Sequence, residues 1–348
     1  LTQRDQPLFW DDPETEASDP RPAEWLQNTL SASLSLSMQR GQSLKTYAGL
    51  GLGASLVRAE PAQRTGLKDA DPEVRQRFID AVVPDAQNRV YPSLWSSFFQ
   101  NQYHRFRNLK GYALTEEVSI GWFGGVRLST PLKALGSTFN ELIPGARLAW
   151  RGLLGRTGLM EGAAGYGFRA RLLSEETIWN NHVFLFRART ASPLTAIGRL
   201  VLRGDWLVRV DQTLRVPVSL GGDNGLRGYP SQRFFSYTGN RYRGNVEFRS
   251  TPINFSQLYV GGVLFYDLGG IYQSDDDTGL RQSAGVGLRM LFPQVSRSGY
   301  RLDFGVPTDG TGFMLTISVE TGQAVPMTPG EDGQYGDSFG AGGLSNQP

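Results

Sequence analysis

The chain has 348 residues, 39% hydrophobic and 20% charged, with mean hydropathy −0.31, formal net charge +2, 43 glycines, two histidines and no cysteine. These numbers exclude disulfides, thiolate metal sites, a cysteine nucleophile and a histidine-rich metal centre, and the small net charge argues against a nucleic-acid partner. No run approaches the roughly 20 apolar residues of a membrane-spanning helix. A transmembrane β-barrel remains open, because its strands alternate faces and average out to mild hydropathy.

The first 24 residues, LTQRDQPLFWDDPETEASDPRPAE, read as a polar, Pro-rich N-terminal segment with no export signal, so an exported protein's leader is expected to have been removed. Alternation of period two then begins. In Ser31–Gln39, Ala32, Leu34, Leu36 and Met38 share one face and serines the other. In Thr46–Arg58, Ala48, Leu50, Leu52, Ala54 and Leu56 oppose Tyr47, Gly49, Gly51, Gly53 and Ser55. Residues 60–93 break the rhythm, with a helix-like piece near Asp71–Ala81, and are expected as a long extracellular loop. Leu94–Phe106 is expected to hide one further strand. In Glu117–Ser129, Val118, Ile120, Trp122, Val126 and Leu128 oppose Glu117, Ser119, Arg127 and Ser129.

Later segments place arginine on the polar face: Arg147 and Arg151, Arg169 and Arg171, Arg199 and Arg203, with a weaker strand through Val183–Ala188. Beyond residue 240 the strands are Arg243–Thr251, Leu258–Gly269, Leu280–Leu291, Tyr300–Val306 and Phe313–Glu320. Turn chemistry separates them at Arg40-Gly41-Gln42, Gly155–Gly158, Asp276–Gly279 and Asp309–Gly312. The Asp275–Asp277 run lacks the spacing of a calcium loop and reads as a solvated turn. Residues 321–348, rich in Gly and Pro, read as a flexible tail. Strands of about ten residues, 12–13 of them without a helical period between, favour an all-β transmembrane antiparallel barrel over a soluble sandwich, whose strands usually run about 5–6 residues. Its span is expected to be 25–320.

One segment stands outside this rhythm. The loop expected at 209–240 contains LGGDNGLRGYPSQ, and the strands after it read NVEFRSTPI, LFYDLGG, QSAGVGLRMLFP and YRLDFGVP. Together these resemble the inward-folded loop signature and following strands of the BamA/TamA superfamily of outer-membrane assembly and translocation barrels. The matching loop residues are Gly221, Gly222, Arg227, Gly228 and Tyr229. Glu247, Phe265, Asp267 and Gly269 match the family's inward-facing wall positions. The resemblance implies that Arg227 is a loop-tip cation folded into the lumen and paired with Glu247 and Asp267; a planar guanidinium can span two carboxylates. The last strand departs from the family, being aliphatic at the later positions of Gly312–Ile317 where relatives carry aromatics.

The resemblance further implies a bacterial outer-membrane location and a non-enzymatic role in protein assembly or insertion. Its partners would be outer-membrane lipids and lipopolysaccharide, polypeptide substrates, and accessory subunits or periplasmic POTRA-type domains, with no cofactor or metal. Relatives have sixteen strands, so the first three and any preceding domains are expected to lie outside this sequence. Two alternatives stay open: a polypeptide translocator of the two-partner secretion type, and the barrel anchor of an upstream enzyme domain. No Gly-x-Ser-x-Gly nucleophile elbow occurs in these residues.

Overall fold

The computed structural model describes residues 2–10, 21–61, 71–74, 76, 79, 86–109, 111–173, 176–213, 218–222, 224–231, 233–236, 239–272, 278–295 and 299–320. The chain is all-β. Its strands are β1 (Thr2–Trp10), β2 (Arg21–Arg40), β3 (Leu44–Pro61), β4 (Gln87–Gln100), β5 (Gln102–Arg107), β6 (Thr115–Ser129), β7 (Glu141–Leu154), β8 (Gly158–Leu172) and β9 (Thr177–Ala191). They continue as β10 (Gly198–Val210), β11 (Val218–Leu220), β12 (Phe234–Ser236), β13 (Asn240–Ser250), β14 (Ile253–Phe255), β15 (Leu258–Tyr272), β16 (Arg281–Leu291), β17 (Gly299–Pro307) and β18 (Met314–Glu320). One 16-stranded antiparallel sheet orders them β1-β2-β3-β4-β6-β7-β8-β9-β10-β13-β15-β16-β17-β18, with β5 on β6 and β14 on β15; β11 and β12 form a separate hairpin. No pairing joins the two ends of this sheet among the described residues.

Each segment expected as a strand forms one, because alternation is a property of neighbouring residues that the pleat reads directly. The sheet is nevertheless larger than the 12–13 strands expected. Residues 2–10, expected within a polar terminal segment, pair along Arg21–Thr29. Strand β4 starts at Gln87, inside the expected 60–93 loop, where residues 72–74, 76 and 79 are helical. The single strand expected at Leu94–Phe106 is two, β4 and β5, parted at Asn101. The Asp275–Asp277 turn and the 321–348 tail lie outside the described residues.

The two faces of the sheet have opposite character. One is bare and apolar: Leu34, Leu36, Leu50, Leu148, Leu200 and Leu264 are all exposed. The other buries 12 arginines and six carboxylates of the strands among the described residues. The usual distribution, apolar groups covered and charges bare, is inverted in this sheet. Glycines on the covered face of β3 make room for side chains of β4. Gly49 and Gly53 sit opposite Trp95 and Tyr91, whose rings lie 2.6 Å from where a Cβ would be.

Alternation fails at one point. Val118 and Ile120, expected outward with Trp122, instead pack inward, Val118 being buried against Phe106 and Leu109. Gly121, between Ile120 and Trp122, has φ 102°, a conformation side-chain-bearing residues rarely adopt, and it lets β6 leave the wall. Beyond it, residues 115–120 pair with β5 and residues 121–129 with β7.

Candidate functional site: a loop locked onto the charged face

The segment between β10 and β13 folds back onto the covered face. Its β11–β12 hairpin leads into a tight turn in which Gly221 and Gly222 take φ 127° and 57° and Gly222 bridges Leu226. The amide of Gly222 donates to the Tyr229 carbonyl at 2.9 Å, and that of Tyr229 to the Leu226 carbonyl at 3.1 Å, closing the turn. Leu220, Leu226 and Tyr229 pack with Ile271 of β15 and with Phe234 in an apolar cluster under the turn. That cluster sets the turn's height above the wall and aims residue 227 at the strands.

Arg227 is 2% exposed, and Glu247 and Asp267 are fully buried. Its Nε and Nη2 donate to Asp267 Oδ2 and Oδ1, each at 2.8 Å, while Nη1 donates to Glu247 Oε2 at 2.7 Å. The amide of Arg227 adds a bond to Asp267 Oδ2 at 3.1 Å. The guanidinium lies 3.7 Å from the ring centroid of Phe265, so one face of the cation is covered while Nε, Nη1 and Nη2 are all hydrogen-bonded. Gly228 then presses on the wall: a Cβ there would stand 2.6 Å from Ser283 Cβ and 3.0 Å from Pro307 N. Tyr229 donates to Asp309 Oδ2 at 2.9 Å, tying the turn to the β17–β18 connection. Gly269 stands opposite Arg243 and has no room for a side chain, a Cβ being 2.9 Å from the Tyr242 carbonyl. All nine residues singled out in the sequence therefore meet at one place.

Several participants were not legible beforehand. Asp303 on β17 lies 3.9 Å from Arg227 Nη1 and binds Arg289 at 2.6 Å. Arg249 donates to Glu247 Oε1 at 2.6 Å, so Glu247 joins two guanidiniums. Asn245 bridges Asp267 Oδ1 at 2.8 Å and the Gly225 carbonyl at 3.1 Å. Asp205 on β10 gathers Arg187, Arg203 and Arg243 at 2.9, 2.6 and 2.8 Å. These contacts follow cross-strand register. Arg151, Glu161, Arg189, Arg203, Asn245 and Asp267 stand opposite one another in sequence across β7, β8, β9, β10, β13 and β15. The only hint in the sequence was an arginine on the polar face of strand after strand.

A second inserted segment was missed altogether. Residues 101–114, with β5, fold over the same face from the opposite end of the sheet. Phe106, Leu109 and Val118 pack on Leu159 of β8, Ala191 of β9 and Val201 of β10. Arg249 Nη1 donates to the Leu109 carbonyl at 2.7 Å and Arg199 Nη2 to the Arg107 carbonyl at 3.1 Å. Tyr112 reaches the space left by Gly261 of β15. One short segment touching β8 through β15 requires the sheet to curl around it. Its signal in the sequence was the broken rhythm at Asn101 and the buried-type residues Phe106 and Leu109 amid polar neighbours.

Among the described residues no cluster of histidine, cysteine, aspartate or glutamate could hold a metal ion. Fold and site together define an antiparallel all-β protein with an apolar bare face and a charged face carrying two inserted segments. No protein-family model matches the chain, and no curated protein matches it.

Proposed function

We propose that the chain is the membrane-embedded barrel of a bacterial outer-membrane protein that assembles or inserts other polypeptides, in the manner of the BamA/TamA superfamily it resembles. The observation that carries this reading is the Arg227 lock, a loop arginine held by Glu247 and Asp267 on neighbouring strands over the ring of Phe265. It sets Arg227 against the two wall carboxylates that the resemblance assigns to it.

The inverted faces support a membrane setting. Strands of 11–15 residues, such as β6, β8, β10 and β13, meet or exceed the about 9–11 that a tilted strand needs to cross a bilayer. Trp122 and Trp150 pair on the bare face near one end of the strands, and Trp179 and Trp206 are exposed toward the other, as interfacial aromatics would be. Residues 31–40 of β2 and all of β18 each have one unpaired edge among the described residues, which is the requirement for templating an incoming strand.

The test is reconstitution. Purified in detergent and placed in liposomes, the chain should accelerate folding of an unfolded outer-membrane barrel supplied from outside, and Arg227→Ala should reduce that rate. No acceleration by well-folded wild-type protein would end the insertase reading. The segment 101–114 lying across the covered face favours the translocator as second reading, since a conduit needs a closure. Transfer of a soluble polypeptide into the liposome interior, without barrel folding, would select it.

A further inference from the structure

This inference rests on the reading that the covered face handles polypeptide, and it names where. Leu159, Ala191 and Val201 form an apolar floor under Phe106 and Leu109. Arg199 and Arg249 flank the floor and aim their guanidiniums at the main-chain carbonyls of Arg107 and Leu109, at 3.1 and 2.7 Å. Recognition of this kind ignores side-chain identity at the polar positions and asks only for apolar groups three residues apart, as Phe106 and Leu109 are. Arg199 is 1% exposed, and its Nε and Nη1 have no hydrogen-bond partner among the described residues, so the floor holds donors beyond those its occupant uses. Within the occupant Asn108 takes φ 56°, and just beyond it Ala113 takes φ 63°, a conformation rare for a residue with a side chain.

We infer that this floor is a binding site for a short apolar segment of an incoming polypeptide, and that residues 106–109 fill it as an internal stand-in that the incoming chain displaces. Arg249 also holds Glu247 Oε1 at 2.6 Å, and Glu247 holds Arg227 at 2.7 Å. Exchange of the occupant is thereby transmitted to the lock: releasing the Leu109 carbonyl alters the hydrogen bonding of the cation that positions Glu247.

The test uses the full chain in detergent micelles and a fluorescein-labelled peptide with the sequence of residues 102–114, with a scrambled peptide as control. The variant Phe106→Asp/Leu109→Asp, which expels the internal segment, should bind the peptide about tenfold or more tightly than wild type, because the tethered occupant no longer competes. Adding Val201→Asp should abolish that gain, and Arg199→Gln should weaken it several-fold. If the double variant does not fold, cutting the folded wild-type chain at a protease site inserted between Lys110 and Gly111 exposes the same floor, with the same expectations. Binding no tighter than wild type, or binding untouched by Val201→Asp, or equal binding of the scrambled peptide, would overturn the site. Since peptide binding is read without insertion, binding in a protein that inserts nothing would remove the proposed function and keep the site. Insertion without binding would do the reverse.

Discussion

Replacing Arg227 with alanine isolates the lock, and the structure says which carboxylate suffers. Glu247 keeps Arg249 at 2.6 Å, whereas Asp267 loses two charge-assisted bonds of 2.8 Å and retains the Asn245 amide and the backbone of residue 227. Asp267 is fully buried, so solvent does not screen the loss as it would in an open, wet lumen. Breaking a buried pair costs about 3–5 kcal/mol. The contact with Phe265 forfeits about 1–2 kcal/mol within that figure, not on top of it. Leu226 and Tyr229 stay in their apolar cluster, each contributing about 1.5–3 kcal/mol, so the loop remains docked on average but opens more often. At about 1.4 kcal/mol per tenfold, the amides of Gly222 and Tyr229 should exchange with deuterium roughly 100- to 4,000-fold faster. The wall ladders, which do not depend on the loop, should keep their protection. Arg227→Lys should recover only part of the loss, since an ammonium cannot grip Asp267 with two parallel bonds and still reach Glu247. Asp267→Asn should have a similar effect, with the double variant far from additive. Exchange accelerated less than tenfold, or strict additivity, would refute the lock.

Gly228→Ala should release the same loop without touching a charge, because the added Cβ has Ser283 Cβ at 2.6 Å and wall backbone at 3.0 Å; deuterium exchange in 222–229 would rise as in Arg227→Ala, and unchanged protection would show that the wall yields instead. Asp205→Asn should lower the urea midpoint of the sheet by the equivalent of about 3–5 kcal/mol, since Arg187, Arg203 and Arg243 lose their shared carboxylate. The lock should survive it. Tyr229, pushed up to about 12 by burial and then by its hydrogen bond to Asp309, should stay protonated where ordinary tyrosines ionise. Its raised value means that its contribution is complete below about pH 10 and is lost as pH rises toward 12. The ultraviolet titration of wild type minus Tyr229→Phe reads this directly. At the acid end the same latch should loosen only below the usual carboxylate range, because the hydrogen bond from Thr311 holds the Asp309 carboxyl low.

Local alternation in the sequence was sufficient for most of the wall. Residues such as Leu34, Leu50, Leu148 and Leu264 announced the bare face by their spacing, and the pairing of Arg227 with Glu247 and Asp267 was expected only through the resemblance carried by the loop and the strands after it. Tertiary structure decided what depends on register between distant strands. That Asp205 meets Arg187 and Arg243, and Asn245 meets Asp267, is set by which residues face each other across β9, β10, β13 and β15, and no spacing within one strand encodes that. The fate of residues 101–120 was decided the same way: Gly121 alone does not say whether a segment continues the wall or leaves it. Only the apolar floor assembled from Leu159, Ala191 and Val201 of three different strands makes the covered face the lower-energy place for Phe106 and Leu109.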